Sequence, residues 1–232
     1  MMSKNFTLVS IEGNIGSGKS TLLKYLKQKF SEKSKYIFID EPVDIWENIK
    51  DESGENMIQK FYSNQEKYSF AFQIMAYTSR LSIIRNSISQ ESNDHIVIIS
   101  ERSLDTDRYV FAEMLYKQGK IEEVCYQIYL NLFNQFKELY KPDIIIYVNV
   151  SPEICYQRVN TRSRTGEEVI GLDYLISCNE QHNNFIYNIS FDCKRLVICG
   201  DINIYEEENK YILNEWLNRI DEFIEQFIEK YK

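Results

Sequence analysis

Eight residues near the start of the chain have the types and the spacing of a polyphosphate-binding loop. Residues 13–20 read Gly-Asn-Ile-Gly-Ser-Gly-Lys-Ser, a complete G-x-x-x-x-G-K-[ST] pattern (P-loop). Backbone N–H groups of such a loop, with the positive end of the following helix, hold the phosphates of a nucleoside triphosphate. Lys19 would reach the β- and γ-phosphates, and Ser20 would bind Mg²⁺. A glycine-rich turn without a ligand is the alternative. The expected phosphate contacts are Gly13, Asn14, Gly16, Ser17, Gly18, Lys19, Ser20 and Thr21.

A carboxylate follows the next apolar run of the sequence. Glu41 comes directly after Tyr36–Asp40 and before Pro42, which ends the predicted strand. At this place a carboxylate can remove a proton from an acceptor hydroxyl while the loop presents the γ-phosphate for in-line attack. The other interpretation of Glu41 is an acid on a surface loop.

An acid and an arginine end a third apolar run. Glu101 and Arg102 follow Ile96–Ile99. Glu101 would hold Mg²⁺ directly or through water, and Arg102 would stabilise the transferred phosphoryl group or orient Glu41. A structural ion pair between Arg102 and one of the two glutamates is the alternative, and the two interpretations are compatible.

Three arginines cluster after a fourth apolar run. Ser151 and Pro152 are of the types favoured at the N-cap and the first position of a helix. Arg158, Arg162 and Arg164 follow within one short segment. Such a segment can close over a triphosphate and neutralise negative charge in the transition state. A solvated basic loop is the alternative.

Alternating strands and helices must position these residues. Short apolar runs alternate with long helical patterns, which predicts an α/β protein with a five-stranded parallel sheet and helices on both faces. Ligands gather at the carboxyl ends of parallel strands, so the loop, the acids and the arginine would meet in one cleft. The expected strands are Phe6–Glu12, Tyr36–Asp40, Ile96–Glu101, Ile144–Val150 and Leu196–Cys199. The expected helices cover residues 18–30, 64–91, 103–117, 121–140, 152–161, 171–188 and 207–230. Asp51–Asn56 and Glu206–Asn209 are expected to be solvated loop or helix-start segments without a chemical role.

The composition disfavours several classes of protein. A chain of 232 residues suits one domain, 1–232. Its net charge of -8 argues against a nucleic-acid partner, because phosphate backbones attract basic surfaces. Five scattered cysteines and two histidines disfavour a disulfide framework, a zinc site or a histidine-centred triad. With no apolar run of membrane length and no room for a targeting segment before the first strand, we expect a cytoplasmic or nucleocytoplasmic protein without a membrane partner.

Six motifs occur in order along nearly the whole chain, from about residue 6 to 230. They are Gly-Asn-Ile-Gly-Ser-Gly-Lys-Ser (13–20), Glu-Pro-Val-x-x-Trp (41–46), Ser-Phe-Ala-Phe-Gln (69–73), Glu-Arg-Ser (101–103), Asp-Arg-Tyr-x-Phe (107–111) and Arg-x-Arg-x-x-Glu (162–167). In types and spacing they resemble the deoxyribonucleoside kinases, in particular the deoxycytidine/deoxyguanosine kinase branch. The resemblance implies a P-loop kinase fold with an arginine-rich lid over about 158–170. It also implies an ATP-dependent deoxynucleoside 5′-kinase of the salvage pathway that uses Mg²⁺.

The resemblance also implies a role for each matched residue. Glu41 would be the base that activates the nucleoside 5′-hydroxyl, acting with Arg102 and Lys19. Ser20 with Glu101 would serve Mg²⁺. The remaining phosphate and ATP contacts would be Arg158, Arg162, Arg164 and, in an adenine-sensing loop at 201–205, Asp201. The nucleoside contacts would be Ile15, Trp46, Tyr62, Phe72, Gln73, Ala76, Arg80, Arg102, Asp107, Phe111 and Glu167, with Tyr62 and Glu167 on the sugar 3′-hydroxyl.

Two charged residues bear on the choice of nucleobase. Gln73, Ala76 and Arg80 have the spacing of one helix face, although exposed helix surface is the alternative for Gln73 and Arg80. In the family, a pair such as Arg80 with Asp107 goes with deoxycytidine and the purine deoxynucleosides, whereas thymidine-preferring relatives have an uncharged pair. The resemblance therefore implies deoxyadenosine, deoxyguanosine and deoxycytidine as acceptors, with thymidine a poor one. The alternative for the aromatic residues Phe72 and Phe111 is a place in the core.

One feature of the lid departs from the pattern of the family. The lid has Gly166 where an acid is more usual in relatives, so Glu168 could compete with Glu167 for the sugar.

In the predicted helix 121–140, five aromatic residues repeat with the spacing of a helix-pairing seam. Packing within the monomer is one interpretation, but because the family dimerises through paired helices, we expect a homodimer. The five residues are Tyr126, Tyr129, Phe133, Phe136 and Tyr140.

Two other functions remain as alternatives. A thymidylate-type nucleoside monophosphate kinase would need further arginines near Glu41 to bind the acceptor phosphate, and the sequence offers few. A P-loop switch or regulatory NTPase without a small acceptor, if of the GTPase type, would contain an Asn-Lys-x-Asp motif, which the sequence lacks.

Overall fold

The computed structural model describes residues 5–89, 95–162, 167, 169–189 and 193–230. Within these ranges, five strands form one sheet in the order β2-β3-β1-β4-β5, and all neighbouring strands are parallel. Because β1 is central, the P-loop that follows it lies in the middle of the carboxyl edge of the sheet. The strands are β1 (Phe6–Glu12), β2 (Tyr36–Ile39), β3 (Ile96–Glu101), β4 (Ile144–Asn149) and β5 (Lys194–Cys199).

Helices connect the strands and cover the sheet. The helix α1 starts directly from the P-loop, and α4 is the longest helix that the structure describes, with 25 residues. The helices are α1 (Lys19–Lys29), α2 (Val43–Asn48), α3 (Met57–Ser63), α4 (Gln65–Ser89), α5 (Leu104–Thr106), α6 (Glu113–Lys117), α7 (Glu123–Phe136), α8 (Pro152–Arg162), α9 (Leu172–Asn188) and α10 (Lys210–Lys230), with a π-helix at Asp107–Ala112 and a 3₁₀ turn at Glu207–Asn209.

The core lies on both faces of the sheet, as the sequence predicts. Side chains of a strand alternate between its faces. Val9 and Ile11 of β1 pack in the cluster that contains Ile220 of α10. Leu8 of the same strand packs on the other side with Ile84 of α4. Burial on both faces explains why the strands are continuous apolar runs.

Three local predictions differ from the structure. The expected helix 103–117 is divided by the π-helix Asp107–Ala112, a form that recurs at functional sites. The helices α2 and α3 were not predicted, because six or seven residues carry too little periodicity. Asn56 starts a helix, as one of the two expectations for its segment had it, but it is buried rather than solvated and caps α3 in a reciprocal pair with Gln59.

The aromatic stripe of α7 packs inside the chain. Tyr126, Tyr129 and Phe133 are buried in one cluster with Tyr77 of α4. These three side chains are therefore not a free pairing seam, and packing within the monomer is their correct interpretation. Among the described residues, no helix is both long enough and apolar enough to cross a lipid bilayer.

Candidate active site

Three glycines give the P-loop its shape. Gly13, Gly16 and Gly18 have φ angles of 147°, 82° and 96°, which only glycine adopts without strain. A Cβ atom on Gly16 would lie 2.6 Å from the backbone oxygen of Cys155 in α8, so this glycine also allows a close approach of two elements. Residues 15–22 border one cavity of about 830 Å³, whereas Gly13 and Asn14 lie behind its wall.

The side chain of Asn14 holds the loop. Its Nδ2 donates to the Leu175 backbone oxygen at 2.8 Å, and its Oδ1 accepts from the Ile15 N–H at 2.8 Å. In the described residues the hydroxyl of Ser17 is buried and finds no partner. A loop with an unpaired buried hydroxyl is incomplete in itself and fits a ligand that supplies acceptors.

Lys19 is the buried cation of the loop. Its ammonium donates to the backbone oxygen of Asn14 at 2.6 Å. Burial, and then the positive charge of Arg102, lowers the pKa of Lys19 to about 8, although Glu101 and Glu41 act in the opposite direction. The charged form of a buried ammonium with a depressed pKa is strongly stabilised by an incoming anion, and binding a phosphate anion is the role of a P-loop lysine.

Two oxygen donors lie together where β3 and α1 meet. The hydroxyl of Ser20 donates to Glu101 Oε1 at 2.9 Å. Burial, and then the charge of Glu41, raises the pKa of Glu101. An alcohol and a carboxylate oxygen are ligands that suit Mg²⁺, whose other ligands are commonly phosphate oxygens and water. No cluster of three or more histidine, cysteine, aspartate or glutamate side chains that could hold a metal occurs in the described residues.

Glu41 lies between two arginines. Arg102 Nη1 donates to Glu41 Oε1 at 2.9 Å, and Arg80 Nη2 is 3.5 Å from the same oxygen. The side chain of Glu41 is 17% exposed and borders the cavity. Burial by itself lowers the pKa of Arg102, but Glu41 and Glu101 raise it above the ordinary value. A fixed, charged carboxylate therefore faces the cavity that the P-loop borders.

Arg80 supports the cavity from behind. It is 1% exposed, and its Nε donates to Asp107 Oδ2 at 2.9 Å. Its Nη1 donates to the backbone oxygen of Glu101 at 2.6 Å. Asp107 borders the cavity and Arg80 does not. The pair predicted to read the nucleobase is therefore present, but Arg80 holds Asp107 rather than facing the space itself.

Aromatic side chains of α2, α3 and α4 form a slot in the wall of the cavity. Phe72 stacks on Phe61 with ring centroids 4.4 Å apart and meets Trp46 edge-on at 5.5 Å. The Trp46 ring is fixed by a 2.9 Å hydrogen bond from its Nε1 to Ser79 Oγ. Phe111 borders the cavity beneath the Arg102 guanidinium, 5.1 Å from the ring centroid. Because the sequence leads us to expect the nucleobase here, we call this part of the cavity the nucleobase end, and we call the part that the P-loop borders the phosphate end.

Gln73 is the polar group of the slot. Its side chain is buried, and its Oε1 has no hydrogen-bond partner among the described residues. Ala76, one turn along α4, is also buried and borders the cavity. An unpaired buried amide beside a small residue fits an occupant with a hydrogen-bonding edge.

Tyr62, Tyr174 and Glu167 lie between the two ends. The rings of Tyr62 and Tyr174 meet edge-on at 6.1 Å, and burial raises the pKa of both hydroxyls. Glu167 is buried, borders the cavity and forms an ion pair with Arg162. These groups are uncharged or anionic, as suits a sugar hydroxyl.

The predicted lid is described in part. Arg158 and Arg162 border the cavity, and Arg158 Nη2 donates to the Gly200 oxygen at 2.9 Å. Asp201 also borders it, but its carboxylate accepts hydrogen bonds from the N–H and hydroxyl of Ser151 at 2.8 and 3.2 Å. Arg164, Gly166 and Glu168 lie outside the described residues.

Sequence reasoning missed several residues of the cavity wall. Tyr174 lies in the first turn of α9, three residues after Gly171. Phe61 belongs to the unpredicted α3, for which the Asn56–Gln59 capping box was the available signal. Leu213 and Trp216 of α10 also border the cavity, although the apolar spacing from Trp216 to Phe227 by itself predicts only a terminal helix that covers the sheet. The missed residues are Ile58, Phe61, Ile154, Tyr174, Leu213 and Trp216.

Comparison with known proteins agrees with this geometry. The deoxynucleoside kinase family model matches residues 9–225. The chain belongs to the deoxynucleoside kinase family. It is 35% identical to deoxycytidine kinase 2 of Gallus gallus over 79% of this chain and 75% of that protein. It is 30% identical to the mitochondrial deoxyguanosine kinase of Xenopus laevis over 93% and 89%, and to human deoxycytidine kinase over 93% and 90%.

Proposed function

We propose that the protein transfers the γ-phosphate of ATP to the 5′-hydroxyl of deoxyadenosine, deoxyguanosine or deoxycytidine, with thymidine a poor acceptor. One observation carries the proposal. Glu41, held by Arg102 at 2.9 Å, borders the same cavity as the P-loop and the aromatic slot. A nucleoside whose base enters the slot would place its sugar beside Glu41 and direct its 5′-oxygen toward the γ-phosphate.

The residues divide the chemistry of transfer. Glu41 accepts the proton of the 5′-hydroxyl, while Lys19 and Arg102 stabilise the charge that develops on the phosphoryl oxygens. Arg158 and Arg162 add positive charge from the lid side. Mg²⁺, when bound by Ser20 and Glu101, would neutralise phosphate charge. Transfer of this kind needs positioning more than covalent help.

The nucleobase end supports the acceptor class. Gln73 and Asp107 offer both donor and acceptor capacity to a base edge, and Ala76 leaves room for a purine. Because Asp107 is held by the buried Arg80, a carboxylate stands in the slot that a thymine methyl group would have to approach. A charged group facing a methyl group is unfavourable because the charge loses solvation without a partner.

We assign the adenine of ATP to the side of the P-loop opposite the nucleobase end. Ile202 and Ile204, from the loop after β5, border the cavity there together with Leu213 and Trp216. Tyr62 and Glu167 are assigned to the 3′-hydroxyl of the acceptor sugar. Of the two glutamates that compete for this role, Glu167 is the one in the described residues.

An activity panel tests the proposal. The purified protein is incubated with labelled ATP, Mg²⁺ and each of four deoxynucleosides, their ribose counterparts and dTMP. We expect monophosphates of deoxyadenosine, deoxyguanosine and deoxycytidine, with kcat/KM for thymidine at least about tenfold lower, the scale of one unfavourable pocket contact. Phosphorylation of dTMP alone would identify a monophosphate kinase. ATP hydrolysis at a rate that no added nucleoside changes, without any phosphorylated product, would identify a regulatory P-loop NTPase.

We also propose a homodimer and a cytoplasmic location. Val124 and Ile128 of α7 are 63% and 51% exposed and would be covered by a second copy. Sedimentation at micromolar concentration should give twice the monomer mass, and Ile128→Asp should give monomers.

The proposed cytoplasmic location is supported by the cysteines. All five are free of disulfide bonds, which suits a reducing compartment. Since one relative is named as mitochondrial, imaging of the tagged protein against a mitochondrial marker is the test.

A further inference from the structure

Glu12, the last residue of β1, is fully buried and has no part in the chemistry described above. Its carboxylate accepts hydrogen bonds from three hydroxyl groups. Ser103 Oγ donates to Oε1 at 2.8 Å, Thr106 Oγ1 donates to Oε2 at 2.5 Å, and Ser10 also donates to Oε1. A buried carboxylate is costly unless such donors satisfy it, so this position is held by specific contacts.

Two of these hydroxyls also cap α5. Ser103 Oγ accepts from the Thr106 N–H, and Thr106 Oγ1 accepts from the Ser103 N–H, each at 3.2 Å. The two hydroxyls also lie 3.0 Å from each other. A hydroxyl has only one hydrogen and a carboxylate can only accept, so when both contacts with Glu12 are made, both hydrogens are directed to Glu12. The carboxylate therefore fixes the rotation of both capping groups, and through them the start of α5.

The capped turn begins with Arg102, directly before Ser103. Arg102 has φ 65°, a conformation unfavourable for a side chain of this size, and the surrounding structure must hold it. Its N–H donates to the Ile11 oxygen at 3.0 Å, one residue before Glu12. From this turn the guanidinium reaches Glu41 and, at 3.4 Å, the Gly13 oxygen.

We propose that Glu12 is a positioning residue for phosphoryl transfer. It clamps the turn at residues 102–106 to the base of the P-loop, and so holds the Arg102 guanidinium at Glu41 and at the transferred phosphate. Glu12 does not border the cavity and acts through Arg102 alone. The inference rests on the proposed kinase function, and it adds a residue that no substrate touches.

Replacement by glutamine tests the carboxylate at nearly constant volume. In Glu12→Gln, one acceptor oxygen becomes an NH₂ donor. In either orientation the amide faces at least one capping hydroxyl, which must turn and give up its present direction. We expect kcat to fall about tenfold, the scale of a small misplacement of a reacting group, with the KM values for nucleoside and ATP nearly unchanged. Ser10→Ala removes the one hydroxyl outside the capped turn and is the matched control, with kcat within about twofold.

A second pair of variants covers the case in which Glu12→Gln does not fold. Thr106→Val removes one hydroxyl at the same shape and should also lower kcat several-fold, while Thr106→Ser keeps the hydroxyl and should restore it. The decisive arm places Glu12→Gln in an Arg102→Ala background. If Glu12 acts through Arg102, kcat should fall no further there.

Three outcomes overturn the inference. They are an unchanged kcat in soluble, folded Glu12→Gln, an equal loss in Ser10→Ala, and a further tenfold loss in the Arg102→Ala background. Thermal melts of each variant show whether it is folded. If the wild-type protein phosphorylates no nucleoside, the proposed function fails instead, and the two failures are therefore distinguishable.

Discussion

The phosphate end and the nucleobase end of the cavity are built in different ways. The phosphate end comes from one contiguous segment, residues 13–20, and its shape depends on backbone angles at three glycines. The nucleobase end is assembled from side chains of separate elements: Trp46 from α2, Phe72 and Gln73 from α4, and Asp107 from the π-helix. The first is fixed by local backbone geometry, and the second by packing. If these residues have the proposed roles, we expect that side-chain substitutions can change the choice of acceptor while the transfer chemistry is kept.

The largest effect is expected where the two ends meet. Glu41→Gln keeps the shape of the side chain but removes the proton acceptor, so kcat should fall at least about 100-fold. ATP binding should stay close to that of the wild type, because the P-loop is unaltered. Steady-state kinetics and titration with a fluorescent ATP analogue measure the two quantities. A near-normal kcat would remove Glu41 from the mechanism.

A change confined to the nucleobase end should alter preference and leave ATP binding intact. Arg80→Met with Asp107→Ala removes a buried ion pair as a unit, and the ratio of kcat/KM for thymidine over deoxycytidine should rise about thirtyfold. An unchanged ratio would contradict the assignment of this pair.

The single variant Asp107→Ala is the control for this pair. It leaves the Arg80 guanidinium buried, with the Glu101 backbone oxygen at 2.6 Å and with Glu41, 3.5 Å away, as its remaining carboxylate partner among the described residues. This variant should lose about 3–5 kcal/mol of stability in urea unfolding, whereas the double variant should lose less. Equal losses would show that the unpaired Arg80 charge does not cause the loss of stability.

A pH titration addresses the phosphate end. Burial lowers the pKa of Lys19 to about 8, and only the protonated ammonium attracts the triphosphate. The affinity for ATP should therefore be full below this pKa and be lost as the pH rises through it, with Kd increasing about tenfold between pH 7 and pH 9. Lys19→Arg stays charged over this range and should give a flat profile. A flat wild-type profile would show that Lys19 is not the titrating group.

The smallest effect separates two glycines of the same loop. Gly16 and Gly18 both have positive φ, but only at Gly16 would a Cβ meet the backbone of α8, at 2.6 Å. Gly18→Ala should lose about 1–2 kcal/mol, the strain of a left-handed residue. Gly16→Ala should lose about 1 kcal/mol more, because α8 or the loop must shift. Urea unfolding measures both, and equal losses would mean that the close approach is relieved without cost.

The same difference between the two ends explains what the sequence could predict. The P-loop, Glu41 and Glu101–Arg102 stand at strand ends, so local pattern and the rule for parallel sheets locate them. The strands agree with the prediction to within two residues at each end. Arg80 and Phe72 could be placed only through the resemblance, since an arginine or a phenylalanine on a long helix has other common explanations.

Other parts of the site could not be predicted because they depend on tertiary contacts. Phe61 lies on a helix too short for a periodic signal, and Glu12 reads as the end of a strand until the hydroxyls around it are seen. The aromatic stripe of α7 shows the converse: its spacing suits a helix pair, but Tyr129 is fully buried by the chain's own core. Spacing identifies an apolar face without identifying what covers it.

The place of α10 in the fold has a consequence for synthesis. Trp216 and Leu213 close one side of the cavity, yet they are made roughly 200 residues after the P-loop. At ribosomal elongation rates of about 5–20 residues per second, the growing polypeptide spends about 10–40 s with that wall missing. During this interval we expect the growing chain to hold nucleotide less tightly than the complete chain, so any stabilisation of the fold by ATP should begin only when translation is nearly complete.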